Sequence, residues 1–364
     1  MKSWRIIISG GGTGGHIYPA IAIAQEIKNR QENADILFVG AKNRMEMQKV
    51  PKAGFKIIGL WISGIQRKLT ISNLMFPIKL ISSMIKARQI IKTHKPDIII
   101  GTGGFASAPL LKVANMMNYP TLIQEQNSYA GITNKWVANQ ANAICVAYDN
   151  MERYFPKDKI AFTGNPVRQD LIKNKLPQQE ALQKFGLKHD KQSILVIGGS
   201  LGASMLNKTI AKHLKTIKTL NCNLLWQCGS IYFEDYKTYS KGNIKVLEYI
   251  EDMQAAYASA DVIISRAGAG SVSELSLVGK PVIFIPSPNV AENHQSKNAN
   301  AVVKHQAAIS IEEKDLEKSF EKTLKELITN NDKQKTLGQN IKKLAKPNAT
   351  KDIVDLIEKL INRK

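Results

Sequence analysis

The sequence WRIIISGGGTGGHIYPAIAIAQEI, residues 4–27, joins a strand pattern to a helix pattern through a cluster of glycines. Its first part is a short apolar run typical of a buried strand, and its last part repeats apolar residues at helical spacing. A strand that ends in a glycine turn and leads directly into a helix is the first half of a β-α-β unit. We therefore predict an α/β protein with parallel strands.

The same arrangement recurs further along the chain. Residues 193–197 predict a second strand, which ends in the glycine loop 198–202 and leads into a helix through about Leu214. Two further strand patterns, at 98–100 and 262–264, also run into turns of small residues. Open α/β sheets bind ligands at the carboxyl ends of their strands. This duplication predicts two doubly wound, Rossmann-like domains that face one cleft.

Turn residues at 163–166, Thr-Gly-Asn-Pro, mark the expected boundary between the halves. We therefore predict an N-terminal domain over residues 1–163 and a C-terminal domain over residues 164–345. Beyond Leu316 the sequence is rich in Lys and Glu and helical in pattern, and a last amphipathic helix is predicted around residues 352–361.

Composition excludes several classes of protein. With 364 residues, 43% of them hydrophobic, the chain is predicted to be globular and soluble, and it contains no apolar run long enough for a membrane span or a signal peptide. The three cysteines, Cys145, Cys222 and Cys228, are too few and too irregularly spaced for a disulfide framework or a zinc site. We expect reduced cytosolic thiols and no metal.

The net charge of +21 admits three kinds of partner: nucleic acid, an anionic membrane or phosphorylated substrates. Residues 1–163 carry 21 basic and 9 acidic side chains, and residues 47–96 contain no Asp or Glu. Ten basic residues lie in that acid-free segment: Lys49, Lys52, Lys56, Arg67, Lys68, Lys79, Lys86, Arg88, Lys92 and Lys95. No recognised nucleic-acid-binding motif accompanies the charge, so we expect no nucleic acid partner.

The first glycine loop satisfies the pattern GxGxxG, but a dinucleotide site also needs an acidic residue about 20 positions on, at the end of the second strand. That strand, 36–40, continues into Ala-Lys-Asn, and no GxxxxGK[ST] motif occurs. Dehydrogenase and P-loop chemistry are therefore disfavoured. Such a loop can still bind a diphosphate through backbone N–H groups, and His16 follows it directly.

The second half offers comparable groups. The loop 198–202 adds the hydroxyl of Ser200 to a glycine cradle. Glu274, at a predicted helix start, fits either a favourable place on the helix dipole or a contact with paired ribose hydroxyls. Gln295 is a less certain polar group after a strand.

Seven segments, taken in order, resemble the bacterial peptidoglycan N-acetylglucosaminyltransferases of the GT-B class. They are GGTGGHIYPA (11–20), GTGGFASAP (101–109), QEQNSYAGITNKW (124–136), GNPVR (164–168), GGSLGASMLN (198–207), RAGAGSVSE (266–274) and NHQSKNA (293–299). The resemblance implies transfer of N-acetylglucosamine from UDP-N-acetylglucosamine to the C4 hydroxyl of the muramoyl sugar of lipid I, giving lipid II. It implies no cofactor, donor binding by the C-terminal half, acceptor binding by the N-terminal half, and a last helix, about 350–364, that packs on the first domain.

The resemblance also carries individual residues. Donor contacts are implied for Thr13, Gly14, Gly15, Asn127, Arg168, Ser200, Ile250, Ala269, Gly270, Ser271, Val272, Ser273, Glu274 and Gln295, with the Ile250 backbone on uracil and Glu274 on ribose. Acceptor contacts are implied for Gly103, Gly104, Phe105 and Asn134. The sequence departs from the family at Phe105, Gln124, Gly270 and His294.

The implied chemistry is a single inverting displacement, which needs a base for the acceptor hydroxyl. We expect His16 to be that base, with Glu125 as the rival. Another GT-B transferase or a UDP-sugar epimerase would share the donor motifs, and a nucleic-acid-binding protein would use the charge instead.

An apolar strip lies inside the acid-free segment: Leu74, Met75, Phe76, Ile78, Ile81 and Ile85. It either packs on the sheet like any domain helix or stays exposed in part and docks on the anionic cytoplasmic leaflet of the inner membrane, which would make the protein peripheral there.

Overall fold

The computed structural model describes residues 3–64, 74–167, 176–199 and 201–363. The chain divides into two compact units: unit 1 consists of Met1–Val167 and Pro347–Lys364, and unit 2 of Arg168–Lys346. The division after Val167 lies four positions beyond the one expected after residue 163. The chain passes back from unit 2 to unit 1 after Lys346.

The described residues of unit 1 form seven parallel strands in the order β3-β2-β1-β4-β5-β6-β7. These strands are β1 (Arg5–Ser9), β2 (Asp35–Ala41), β3 (Lys56–Leu60), β4 (Ile98–Gly101), β5 (Thr121–Glu125), β6 (Ala143–Val146) and β7 (Ile160–Phe162). The helices of its first segment are α1 (Gly14–Arg30), α2 (Glu46–Lys52), α3 (Phe76–His94), α4 (Ser107–Met116) and α5 (Ile132–Val137).

The strand order of unit 1 reverses between β1 and β4, which pair in parallel. Both strands consist mainly of fully buried isoleucines, because a parallel sheet is covered by helices on both faces. Loops that leave the carboxyl ends of such a pair diverge to opposite faces and open a crevice at the switch point. The loops after β1 and β4 are therefore the first place to look for a site.

Unit 2 repeats this design, and the part of it that the structure describes has six parallel strands in the order β10-β9-β8-β11-β12-β13. They are β8 (Ser193–Ile197), β9 (Asn223–Gln227), β10 (Ile244–Leu247), β11 (Val262–Ser265), β12 (Val282–Phe284) and β13 (Ile309–Ser310). Its helices are α6 (Gln178–Lys184), α7 (Ser204–Lys212), α8 (Leu214–Thr219), α9 (Phe233–Tyr236), α10 (Met253–Ser259), α11 (Ala269–Val278), α12 (His294–Val303), α13 (Leu316–Thr329) and α14 (Asn331–Lys343).

The predicted α/β class, with two doubly wound Rossmann-like sheets, is confirmed. One helix differs from its prediction: the helix expected to run through Leu214 stops at Lys212, and α8 begins after a break at His213. There the imidazole Nδ1 lies 2.8 Å from the Thr209 carbonyl, inside the preceding turn.

The last helix, α15 (Ala349–Asn362), belongs to unit 1 and packs against α1. Its apolar face contributes Ile353, Val354 and Ile357 to the core that α1 shares with the sheet. At the surface, Arg30 Nη1 lies 2.5 Å from the Asp355 carboxylate.

The three cysteines are free and buried. Burial raises the pKa of the Cys145 thiol to about 12, and it raises the pKa values of Cys222 and Cys228 to about 11. All three thiols are therefore protonated at neutral pH and are poor nucleophiles.

Candidate functional site

The loops after β1 and β4 touch in unit 1, and the contact requires glycine. A Cβ on Gly104, which has a φ of +83°, would lie 2.2 Å from the Gly11 carbonyl oxygen. The Gly11 N–H in turn donates to the Gly103 carbonyl at 3.4 Å. Any side chain at Gly104 would push the two loops apart.

His16, the third residue of α1, lies against this pair of loops and is half-buried. Its Nδ1 lies 3.0 Å from the Thr102 carbonyl oxygen and 2.9 Å from Gln126 Oε1. A Cβ on Gly103 would lie 2.9 Å from the same nitrogen, so the ring packs directly on that glycine. Among the described residues, Nε2 makes no hydrogen bond. The protein therefore holds the imidazole by its Nδ1 edge only.

A buried carboxylate lies beneath the first glycine loop. Glu46 accepts the Gly12 N–H on Oε2 at 3.0 Å and the Ala41 N–H on Oε1 at 2.9 Å, and it is fully buried. Sequence reasoning missed it, although it is the last acidic residue before the acid-free segment. The Gly12 N–H is bonded to Glu46 and is not available to a phosphate. The phosphate contacts predicted for this loop are therefore left to the backbone N–H groups at the helix start, residues 13–15.

Glu125 organises the loop that follows β5. Oε1 accepts from the backbone and side-chain nitrogens of Asn127 at 3.0 and 3.3 Å. Oε2 accepts from the Gly131 N–H at 3.0 Å and from Asn134 Nδ2 at 2.8 Å. Glu125 and Asn134 are both at least 98% buried. The structure thus brings Glu125, Asn127 and Asn134 together, but Glu125, at the end of β5, and Asn134, in α5, are buried rather than exposed to a ligand.

Phe105 covers the outer side of the first loop. A Cβ on Gly12 would lie 3.1 Å from the Phe105 ring, and the Arg44 guanidinium lies 5.8 Å from the ring centroid. Arg44 is exposed and was not predicted as a site residue. It brings a positive charge to the edge of the predicted acceptor loop.

In unit 2 the glycine loop after β8 packs equally closely on the loop after β9. A Cβ on Gly202 would lie 2.0 Å from the Cys228 carbonyl oxygen, and the φ of Gly202 is +82°. Two of the predicted site residues, Arg168 and Ser200, lie outside the described residues.

Gln227, at the end of β9, links this loop to the segment after β10. Its Nε2 donates to the Gly199 carbonyl at 3.0 Å, and its Oε1 accepts the Ile250 N–H at 3.1 Å. Two residues further on, Asp252 caps α10 by accepting the Ala255 N–H. Hydrogen bonds from Lys184 and from that N–H lower the pKa of Asp252. The Ile250 backbone is therefore fixed from both sides.

Glu274 was predicted at a helix start, and that position is wrong. Helix α11 begins at Ala269, so Glu274 is its sixth residue and lies beyond the first turn. Its Oε2 accepts from the Tyr257 hydroxyl at 3.0 Å. A favourable place on the helix dipole no longer explains this carboxylate.

The start of α11 carries the remaining predicted donor residues. Ala269 and Val272 are buried, Ser271 is half-buried, and the hydroxyl of half-buried Ser273 donates to the Ala269 carbonyl at 3.1 Å. Gly270 is exposed, and a Cβ there would meet no atom within 4 Å.

Gln295 lies in α12, where its Oε1 accepts the Ser287 N–H at 2.9 Å. This contact orients the amide so that Nε2 remains as a donor, which makes no hydrogen bond among the described residues. The preceding residues Glu292 and Asn293 both have positive φ angles, +52° and +53°, and His294 lies 3.8 Å from the Glu292 carboxylate. Paired left-handed residues store strain of about 1–3 kcal/mol each and are common beside ligands.

Across the described parts of the chain, no three His, Cys, Asp or Glu side chains are grouped so that they could hold a metal ion. The groups at these loops are backbone N–H donors, amides, the imidazoles of His16 and His294, the Arg44 guanidinium and a few carboxylates. Such groups suit a phosphorylated sugar nucleotide.

Two doubly wound sheets with glycine loops at their carboxyl edges are the architecture of the GT-B class. Over 98% of this chain and 99% of the other, the fold matches the crystal structure of Acinetobacter baumannii MurG, with a TM-score of 0.81 and 29% sequence identity. Residues 6–146 match the N-terminal domain of glycosyltransferase family 28, and residues 193–355 match its C-terminal domain. The chain belongs to glycosyltransferase family 28.

Curated relatives match at full length. A protein of Flavobacterium psychrophilum is 57% identical over 99% of this chain and 99% of its own, and one of Christiangramia forsetii is 57% identical over 99% and 98%. Both are named UDP-N-acetylglucosamine--N-acetylmuramyl-(pentapeptide) pyrophosphoryl-undecaprenol N-acetylglucosamine transferase.

Proposed function

We propose that this protein transfers N-acetylglucosamine from UDP-N-acetylglucosamine to the muramoyl sugar of pyrophosphoryl-undecaprenol-linked N-acetylmuramyl-pentapeptide, the lipid I that becomes lipid II. The observation that carries the proposal is the identity of more than half the residues, over the full length, with relatives named for this reaction. The relatives are named as transferases, so the alternative of a UDP-sugar epimerase has no support.

Unit 2 is proposed to hold the donor. The Glu274 carboxylate, fixed by Tyr257, would accept hydrogen bonds from the paired hydroxyls of the ribose. The start of α11 and the glycine loop after β8 would bind the diphosphate through backbone N–H groups. The Nε2 donor of Gln295 would reach a sugar hydroxyl. The Ile250 N–H already donates to Gln227, so the uracil ring of the donor would bind to the Ile250 carbonyl.

Replacing Glu274 with alanine is expected to raise the Kd for UDP by roughly 10- to 100-fold, because a hydrogen bond to a charged group contributes about 1.5–3 kcal/mol. Tyr257→Phe keeps the carboxylate and removes only the hydroxyl that orients it, so a rise of about 2- to 10-fold is expected. Titration calorimetry with UDP measures both. An unchanged Kd in Glu274→Ala would remove this residue from the ribose site.

Unit 1 is proposed to supply the base and the acceptor site. The oxygen of the acceptor hydroxyl attacks the anomeric carbon as the bond from that carbon to the UDP oxygen breaks. The hydroxyl proton passes to His16 Nε2, and the electron pair of the broken bond leaves on UDP. Helix N-termini and Arg168 would stabilise the charge that gathers on the diphosphate. Glu125, with four donors on its carboxylate, has no lone pair directed to a substrate and acts by positioning Asn127.

The proposed reaction is tested with labelled UDP-N-acetylglucosamine and a soluble lipid I analogue. We expect a disaccharide product and stoichiometric UDP, and no change in the sugar nucleotide when the acceptor is omitted. Isomerisation of the sugar nucleotide without acceptor would identify an epimerase, and the absence of both products would refute the proposal.

The protein is further proposed to bind the anionic cytoplasmic face of the inner membrane, where such a lipid acceptor would lie. Four apolar side chains form an exposed stripe on α3 and just before its start. They are 55–77% exposed and recur at intervals of four and three residues: Leu74, Ile78, Ile81 and Ile85. Arg88 and Lys92, both exposed, continue the same stripe. The packing face of α3 is a different one, formed by Ser83, Ala87, Ile90 and Ile91.

The apolar strip predicted from the sequence could either pack on the sheet or stay exposed in part, and its residues divide between the two. Phe76 packs on the core, whereas the stripe remains exposed. Trp61, which is 45% exposed, contacts α3, and the Lys79 Nζ of that helix lies 5.9 Å from its ring centroid. Of the helices that can be described here, none has the length and apolarity to cross a membrane. Arg67 and Lys68 of the acid-free segment lie outside the described residues.

The double change Ile81→Glu and Ile85→Glu is expected to lower co-sedimentation with anionic vesicles by about tenfold or more, because it removes apolar contact and adds charge of the wrong sign. Both side chains are exposed, so the melting temperature should stay unchanged. Ile231→Glu, which alters an equally exposed isoleucine in unit 2, is the control. Equal binding of the wild type to neutral and anionic vesicles would contradict the electrostatic part of the proposal.

A further inference from the structure

The amide of Gln126 is locked in one orientation by its neighbours. Its Nε2 lies 2.7 Å from the Thr102 carbonyl oxygen and 3.0 Å from the Gln124 carbonyl oxygen. Both atoms only accept hydrogen bonds, so the nitrogen of the amide must face them. The reversed amide would place oxygen against oxygen in a site where Gln126 is 98% buried. Gln126 Oε1 therefore faces His16.

A second pair of amides fixes this arrangement from the far side. Gln124 Nε2 donates to Asn165 Oδ1 at 2.9 Å, which turns Gln124 Oε1 toward the nitrogen of Gln126. Asn165 Nδ2 donates to the Gln126 carbonyl at 3.0 Å. All three amides are buried. The orientation of Gln126 thus depends on a closed ring of donors and acceptors formed by Gln124, Gln126 and Asn165, near the end of the first segment of unit 1.

The consequence falls on His16, whose Nδ1 meets only acceptors, the Thr102 carbonyl and Gln126 Oε1. A neutral imidazole carries one proton, and the nitrogen that faces acceptors keeps it. We infer that Gln126 is a positioning residue that, with the Thr102 carbonyl, holds His16 as the Nδ1–H tautomer and leaves the lone pair on Nε2. Its catalytic significance rests on the proposed function, since only there does Nε2 accept a proton.

This device differs from the carboxylate that orients histidine in other enzymes. An amide oxygen orients the ring without placing a negative charge beside it. It therefore selects the tautomer without placing a second charged group in the site.

The tautomer is measured directly by two-bond nitrogen–proton NMR correlations on protein labelled at its six histidines, with His16→Ala to assign the signal. We expect a protonated Nδ1 and an unprotonated Nε2 in the neutral ring of the wild type. In Gln126→Met, which keeps the length of the side chain but has no acceptor oxygen, a mixture of tautomers is expected. In the transfer assay this variant should lose about tenfold in kcat with an unchanged KM for UDP-N-acetylglucosamine.

Gln140→Met, an exposed glutamine of the same unit, is the matched control and should leave both readouts unchanged. A wild-type Nε2–H tautomer would overturn the inference, as would a Gln126→Met variant with an unaltered tautomer. The wild-type spectrum needs no variant to fold and no substrate to bind. An inactive protein with the expected tautomer would therefore count against the proposed function and leave this inference standing.

Discussion

His16→Ala is expected to lower kcat by about 10²- to 10⁴-fold, the usual contribution of a positioned general base. The KM for UDP-N-acetylglucosamine should change little, because His16 is proposed to act on the acceptor hydroxyl and the donor contacts proposed for Glu274, Gln295 and the start of α11 belong to unit 2. The fold should persist, since the ring is half-buried and rests on Gly103 rather than in a core. Steady-state kinetics with the lipid I analogue measures the loss.

His189→Ala, which removes an exposed imidazole from a turn of unit 2, is the control for the substitution itself. Near-normal turnover in His16→Ala would show that the hydroxyl is deprotonated by another group. A combined loss of activity and melting temperature would instead mean that the ring supports the two loops it touches.

Glu125→Ala is expected to destabilise unit 1 by at least about 3 kcal/mol, because four donors lose a buried acceptor at once. The melting temperature should fall by roughly 5 °C or more. Glu125→Gln should lie between this variant and the wild type, since its NH₂ group would face two of those donors. In both variants the loss of activity should follow the loss of stability, as measured by calorimetry and kinetics on the same samples.

Glu152→Ala, a change at an exposed carboxylate of the same unit, should alter neither quantity. If Glu125→Gln kept its melting temperature and still lost turnover by 10²-fold, the carboxylate would be acting on substrate. That result would place Glu125 ahead of His16 as the base.

Local patterns were enough to predict the α/β class and the duplicated strand-turn-helix units. Buried parallel strands such as β1 are short apolar runs followed by glycine, and this signature depends on nearest neighbours alone. The break at His213 escaped prediction because it depends on a side-chain contact inside one turn of helix. Helix α11 begins earlier in the sequence than was predicted. In the sequence, Ala269 and Gly270 look like a continuation of the turn of small residues before them.

The site was only partly predictable, because its geometry depends on residues far apart in sequence. Glycine loops and His16 carry a local signal. Glu46 and Gln126 do not, since their roles arise when loops from different strands meet. The burial of Glu125 and Asn134 could not be predicted from the sequence either, because a polar residue has the same local signal whether it faces a substrate or supports its neighbours.

The place of α15 in unit 1 has a consequence for how the chain acquires its structure during synthesis. Unit 2 is one continuous stretch, whereas the core beside α1 needs Ile353, Val354 and Ile357 from the end of the chain. On the ribosome, unit 1 must therefore wait for α15, with an apolar face of α1 uncovered, while unit 2 emerges and can already fold. A stall in translation before α15 would leave that apolar face exposed and unit 1 unfinished, although unit 2 is already complete.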